Sequence, residues 1–91
     1  MKFEIKNKTA YYGSGSGASE DGQPIVFIHG AGFDHTVWVL PARYFARKGF
    51  RVVALDLPGH GRSEGPALTS VEAMSDWIVE VSETLALQDL V

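Results

Sequence analysis

Serine, histidine and aspartate, the residue types of nucleophilic acyl transfer, gather in two short stretches of this chain. One is His29-Gly30-Ala31-Gly32-Phe33-Asp34-His35, and the other is Asp56-Leu57-Pro58-Gly59-His60-Gly61-Arg62-Ser63-Glu64-Gly65. A serine beside a histidine that an acid orients can attack a carbonyl carbon and hand its proton on. Gly61-Arg62-Ser63-Glu64-Gly65 even matches the Gly-x-Ser-x-Gly pattern of a nucleophile turn. That pattern has chemical meaning only where a strand passes sharply into a helix. Ser63 stands seven residues beyond Asp56, where the preceding strand ends, and the next helix signal comes only at Thr69. Ser63 is therefore read as a loop residue. Asp56, at a strand end, is read as an acceptor for backbone that Pro58 and its neighbouring glycines turn sharply. His35 carries no signal.

The elements that hold these stretches follow from periodicity. Ile25-Val26-Phe27-Ile28 is an unbroken apolar run, which reads as a strand buried on both faces. Gly30 and Gly32 then allow backbone close to a ligand. Asp34 or Thr36 can cap the helix that follows. Pro41 is tolerable only in a first turn, so the regular helix is expected from near Leu40 to Lys48, with Gly49 as its stop. Arg51-Val52-Val53-Ala54-Leu55 is a second buried strand. Thr69-Ser70-Val71-Glu72 has capping-box spacing, with Thr69 as N-cap and Glu72 reaching back. The helix it opens places Val71, Met74, Ile78, Val81 and Leu85 on one stripe, with Trp77 beside it as core. Gln88-Asp89 ends that helix, and Leu90-Val91 opens a further buried strand. Upstream, Phe3 and Ile5 alternate with polar residues, Asn7-Lys8 is a turn, and Thr9 to Tyr12 returns as a hairpin partner. Gly13 to Gly22 is a loop. It is not a phosphate loop, since neither a helix nor a Lys-Ser/Thr pair follows it. The expected class is α/β: a β-hairpin, then β-α-β-α, mostly parallel, with helices on both faces of the sheet.

Bulk properties narrow the function classes. Ninety-one residues with 45% hydrophobic content make one small domain. A net charge of −3 gives no broad basic face, so no nucleic-acid partner is expected. Arg43, Arg47, Lys48 and Arg51, and likewise Glu72, Asp76, Glu80 and Glu83, read as solvated helix faces. There is no cysteine, hence no disulfide or thiolate metal site. No apolar run is long enough to span a membrane and no leader is visible at Met1-Lys2-Phe3, so the expected compartment is the cytoplasm.

Residues 25–91 resemble the N-terminal part of an α/β-hydrolase. The likeness rests on the strand ending in His29-Gly30-Ala31-Gly32, on Asp56-Leu57-Pro58-Gly59-His60-Gly61-Arg62-Ser63, and on the helix and Gly49-Phe50-Arg51-Val52-Val53 between them. It points to esterases, lactonases, peroxidases and dehalogenase-like enzymes without choosing among them. The resemblance implies that the Ala31 N–H is an oxyanion-hole donor and that Gly32 and Phe33 line the substrate pocket. It gives His29, Gly30, Asp56 and His60 loop-fixing roles, and it implies neither metal nor cofactor. It also implies that the triad is absent from this segment, the nucleophile turn following the strand begun at Leu90-Val91. Residues 1–91 are then an incomplete single domain, a fragment of a serine hydrolase for a small ester-like substrate, inactive alone. One alternative is a half that assembles with a complementary C-terminal polypeptide, or with itself through strand 25–28. Another is a non-catalytic nucleotide-binding module, since Gly30-Ala31-Gly32 precedes a helix and Asp56 ends the next strand. That fingerprint lacks its third glycine, because position 35 is His35.

Overall fold

The computed structural model describes residues 1–15, 22–30 and 32–87. The expected strand at Leu90-Val91, the central part of the glycine-rich loop and the Ala31 donor lie outside the described residues; the second helix, expected to run up to Gln88-Asp89, ends earlier, at Thr84.

Four strands form one sheet in the order β1-β2-β4-β3. They are β1 (Lys2–Ile5), β2 (Lys8–Gly13), β3 (Pro24–Ile28) and β4 (Arg51–Leu55). β1 and β2 pair as an antiparallel hairpin, with Ile5 opposite Lys8. The turn is therefore Lys6-Asn7, one residue earlier than the sequence suggests. Both residues are left-handed, at φ 50° and 64°. A two-residue hairpin loop demands that conformation, because its twist matches the strands it joins. β2 meets β4 antiparallel through Tyr12 and Gly13, and β3 runs parallel to β4 from Pro24–Arg51 to Ile28–Leu55.

The link from β3 to β4 opens with a 3-10 helix over His35–Trp38, which the Asp34 side chain caps by accepting from the Thr36 N–H. Helix α1 (Val39–Arg47) follows. Pro41 falls in its first turn, where a missing N–H is harmless. Gly49, at φ 92°, ends it. There the N–H groups of Gly49 and Phe50 turn back to the carbonyls of Ala46 and Phe45.

Helix α2 (Val71–Thr84) is capped by Ser70, whose Oγ accepts from the Ala73 N–H at 3.0 Å. The expected Thr69 cap is displaced by one residue. Both hydroxyls could serve locally. Its core row also differs from the stripe the periodicity suggests. Trp77 and Val81 are buried, Met74, Ile78 and Leu85 are half-buried, and Val71 is 77% exposed.

The two helices cover opposite faces. Val53 and Leu55 of β4 join Ile5, Ala10, Tyr12 and Leu57 in one core with Trp77 and Val81. On the other face, Phe27 of β3 stacks against Trp38 and Phe45, with centroids at 5.1 and 6.1 Å. Phe27 stands beside Ala54 in the register, so the alternation of β4 sends odd residues to α2 and even ones to α1. α2 lies toward the β1 side, where Lys6 and Glu80 pair at 2.8 Å. Its remaining apolar side leaves a groove of about 340 Å³ next to β3, lined by Ile28, Leu57, Val71, Met74, Ile78 and Val79.

Candidate functional site

The parallel register brings the ends of β3 and β4 side by side, with Ile28 opposite Leu55. His29 and Asp56 are the next residue on each strand, so the two chemistry-bearing loops leave the sheet together, at its carboxyl edge.

Asp56 is fully buried. Its Oδ1 accepts from the His35 N–H at 2.7 Å and from His35 Nδ1 at 2.9 Å, and its Oδ2 accepts from the Arg62 N–H at 3.0 Å. A buried carboxylate needs this many donors to remain tolerable. The carboxylate thus ties the start of the 3-10 helix to the loop after β4. Gly61 passes directly over it. A Cβ there would stand 2.5 Å from Asp56 Cγ and 2.6 Å from Oδ1. Position 61 must therefore be glycine, by space as well as by its φ of 51°.

Ser63 is buried too. Its Oγ donates to the Asp56 carbonyl at 2.7 Å and accepts from the Tyr11 N–H at 2.9 Å. The hydroxyl stitches the loop to β2 and has no histidine partner. That geometry agrees with reading its Gly-x-Ser-x-Gly frame as a coincidence of letters.

His29 is 4% exposed. Its Nδ1 faces the Gly30 carbonyl at 2.7 Å and must carry the proton, which leaves Nε2 to accept from the Leu57 N–H at 3.0 Å. His60 repeats the pattern. Its Nδ1 donates to the Pro58 carbonyl at 3.1 Å, and its Nε2 accepts from the Gly32 N–H at 3.2 Å. The two rings lie 5.0 Å apart. Neither has a nitrogen lone pair left for proton abstraction, so neither is placed to act as a general base. Gly30 holds the other end of this turn, since its carbonyl also accepts the Phe33 N–H at 3.1 Å.

Phe33 is 60% exposed, and neither it nor Gly32 lines the groove beside β3. His35, which carries no signal in the sequence, is a hub. It binds Asp56 twice, and its ring sits 5.1 Å from that of Tyr11. The one available clue was the unmet need of a strand-end aspartate for donors. Asp34, His35 and Asp56 lie close enough to suggest a cation site. However, the imidazole Nδ1 of His35 is already a donor to Asp56, and both Asp56 oxygens are engaged, so the set does not fit a metal. The same burial keeps Asp56 from the ribose contact that a nucleotide-binding reading needs. Among the described residues, no helix is long and apolar enough to cross a membrane.

Comparison with known proteins agrees with this layout. Over 82 residues the chain is 37% identical to (E)-2-((N-methylformamido)methylene)succinate hydrolase of Acinetobacter baylyi, covering 89% of this chain and 29% of that protein. Among solved structures, a membrane phospholipase A described as a bacterial virulence factor matches 99% of this chain at TM-score 0.87 and 29% identity, over 29% of its own chain. An esterase from Exiguobacterium antarcticum matches 94% of this chain at TM-score 0.78 and 25% identity, over 31% of its own. The chain thus spans less than a third of the length of each of these relatives. Residues 25–91, which carry β3, β4, both helices and the two tied loops, match the model of the alpha/beta hydrolase family, and the chain belongs to that family.

Proposed function

We propose that these residues furnish the oxyanion loop and one wall of the substrate site of a serine hydrolase, which transfers an acyl group from a small ester-like substrate to water. The serine, the acid and the base histidine are supplied by residues other than these. The reading rests on the state of the loop amides. The Gly32 N–H is taken by His60 and the Phe33 N–H by the Gly30 carbonyl. The Ala31 N–H is the donor that resemblance assigns to the oxyanion, and its two following neighbours are unavailable for that task. A donor aimed at a developing oxyanion contributes about 3–4 kcal/mol to lowering the barrier. Phe33, exposed two positions further along the chain, is suited to meet an acyl or alcohol group. The buried, doubly bonded Ser63 supports placing the nucleophile elsewhere.

The sheet edge supports an incomplete domain. Among the described residues β3 pairs only with β4. Its outer side carries no charge and no proline from Ile25 to Ile28, the devices that natural edges use against unwanted pairing. With the apolar groove alongside, this edge suits a further strand, from a complementary C-terminal polypeptide or from a second copy. Sedimentation equilibrium of the 91-residue chain at micromolar concentration should then show association. A single monomer that unfolds cooperatively would remove this part of the reading.

The chemistry is tested by fluorophosphonate labelling and peptide mapping of the protein that carries these residues. Label is expected on a serine outside residues 1–91, and the isolated chain should give no burst with an activated ester. Stoichiometric label on Ser63 would overturn the assignment, and no labelled serine anywhere would overturn the serine-hydrolase reading itself.

A further inference from the structure

The two imidazoles at the carboxyl edge of the sheet are arranged reciprocally. His29 belongs to the loop after β3, yet its Nε2 accepts an N–H from Leu57, in the loop after β4. His60 belongs to the loop after β4, yet its Nε2 accepts an N–H from Gly32, in the loop after β3. In each ring Nδ1–H is spent on a carbonyl of its own loop, that of Gly30 or of Pro58. Each loop therefore lends the other a neutral imidazole, and the rings face one another at 5.0 Å.

We propose that this pair is a pH-sensitive clasp on the oxyanion loop: neutral rings tie Gly32 to the loop after β4 and Leu57 to the loop after β3, and protonation of His60 or His29 breaks the tie it makes. The meaning for catalysis rests on the oxyanion reading above, whereas the clasp itself does not. An N–H···N bond exists only while the accepting nitrogen keeps its lone pair. Protonation turns that nitrogen into a donor aimed at a backbone N–H, which repels instead of binding. It also sets a cation beside the second ring. The clasp is thus closed while both rings are neutral and opens when either gains a second proton.

Few charges near the pair can offset this. Asp34 is within electrostatic reach of His29, but its carboxylate is occupied by Thr36. Asp56 lies beneath Gly61 and already accepts from His35 and Arg62. The other charged residues of the second loop turn toward β2: Arg62 lies over the Tyr11 ring at 5.0 Å, and Glu64 accepts the Thr9 N–H.

The test follows the loop without turnover. Imidazole nitrogen shifts should show both rings as Nδ1–H tautomers at high pH. Hydrogen exchange of the peptide spanning residues 30–33, corrected for the intrinsic pH dependence, should lose protection roughly fivefold to tenfold as His60 protonates, the scale of one lost hydrogen bond. In His60→Ala that pH dependence should vanish, with the segment unprotected throughout. An Nε2–H tautomer for His60 at high pH, or loop protection that stays flat across the titration of both rings, would overturn the clasp. These two measurements on the unaltered chain decide the matter even if His60→Ala fails to fold. A pH-sensitive clasp in a protein without a phosphonate-reactive serine would leave the clasp standing and remove the serine-hydrolase reading.

Discussion

Replacing Ser63 with alanine separates a nucleophile from a structural stitch. A nucleophile contributes chemistry and little stability, whereas the geometry here calls for the reverse. The hydroxyl is buried, donating to the Asp56 carbonyl at 2.7 Å and accepting from the Tyr11 N–H at 2.9 Å. Alanine leaves both backbone groups in place without a partner. An unsatisfied buried polar group costs about 1–3 kcal/mol, so the two together cost about 2–6 kcal/mol. Small domains have only about 5–15 kcal/mol in total, so the loss is a large fraction. In a domain of this size each kcal/mol shifts Tm by about 4–8 °C, which puts the expected drop at roughly 10 °C or more. The assay is paired thermal and urea unfolding of Ser63→Ala and wild type, with fluorophosphonate mapping of the wild type alongside. A Tm within about a degree of wild type would refute the stitch. Covalent label on Ser63 in the native protein would refute the exclusion of Ser63 as nucleophile.

Three further outcomes are expected. Gly61→Ala should destabilise by about 3 kcal/mol or more in urea unfolding, because the new methyl drives into the pinned Asp56 carboxylate and breaks bonds to a buried charge; a change under about 0.5 kcal/mol would show the loop can move away. Trp77→Ala should cost about 3–5 kcal/mol in the same assay, as the largest side chain that α2 gives the core, whereas Val71→Ala, at an exposed site, should fall within about 0.5 kcal/mol. The Asp34 carboxyl is held below the ordinary carboxylate value, first by the Thr36 hydroxyl and then by the Thr36 N–H. Its folded-state pKa is the lower one, so its stabilisation is complete above the unfolded value and is lost as pH falls through the folded one. Asp34→Ala should remove that part of the acid limb in a stability–pH profile, and an unchanged limb would exclude the cap.

Much of this molecule is determined by local sequence. Pro24 to Ile28 and Arg51 to Leu55 are strands because unbroken apolar runs bounded by glycine, proline or turn residues have few other uses. Pro41 and Gly49 bracket α1 through backbone rules that need no tertiary partner. The two loops were legible as a pair because glycine, proline, histidine and aspartate recur there at fixed offsets. Tertiary structure decided what local rules leave degenerate. Thr69 and Ser70 are equivalent caps until the helix is seated. The apolar row of α2 is wide enough to rotate, and its place over β1, β2 and β4 selects Trp77 and Val81 and strands Val71 in solvent. The Lys6-Asn7 turn is set by the Ile5–Lys8 register across the hairpin. Least legible were the long-range bonds. His35 to Asp56, Ser63 to Tyr11, and the crossed ties of His29 and His60 join residues 21 to 52 positions apart. No periodicity encodes such pairs, because they arise only when parallel strands bring two loops to one edge and each buried polar atom must find a partner.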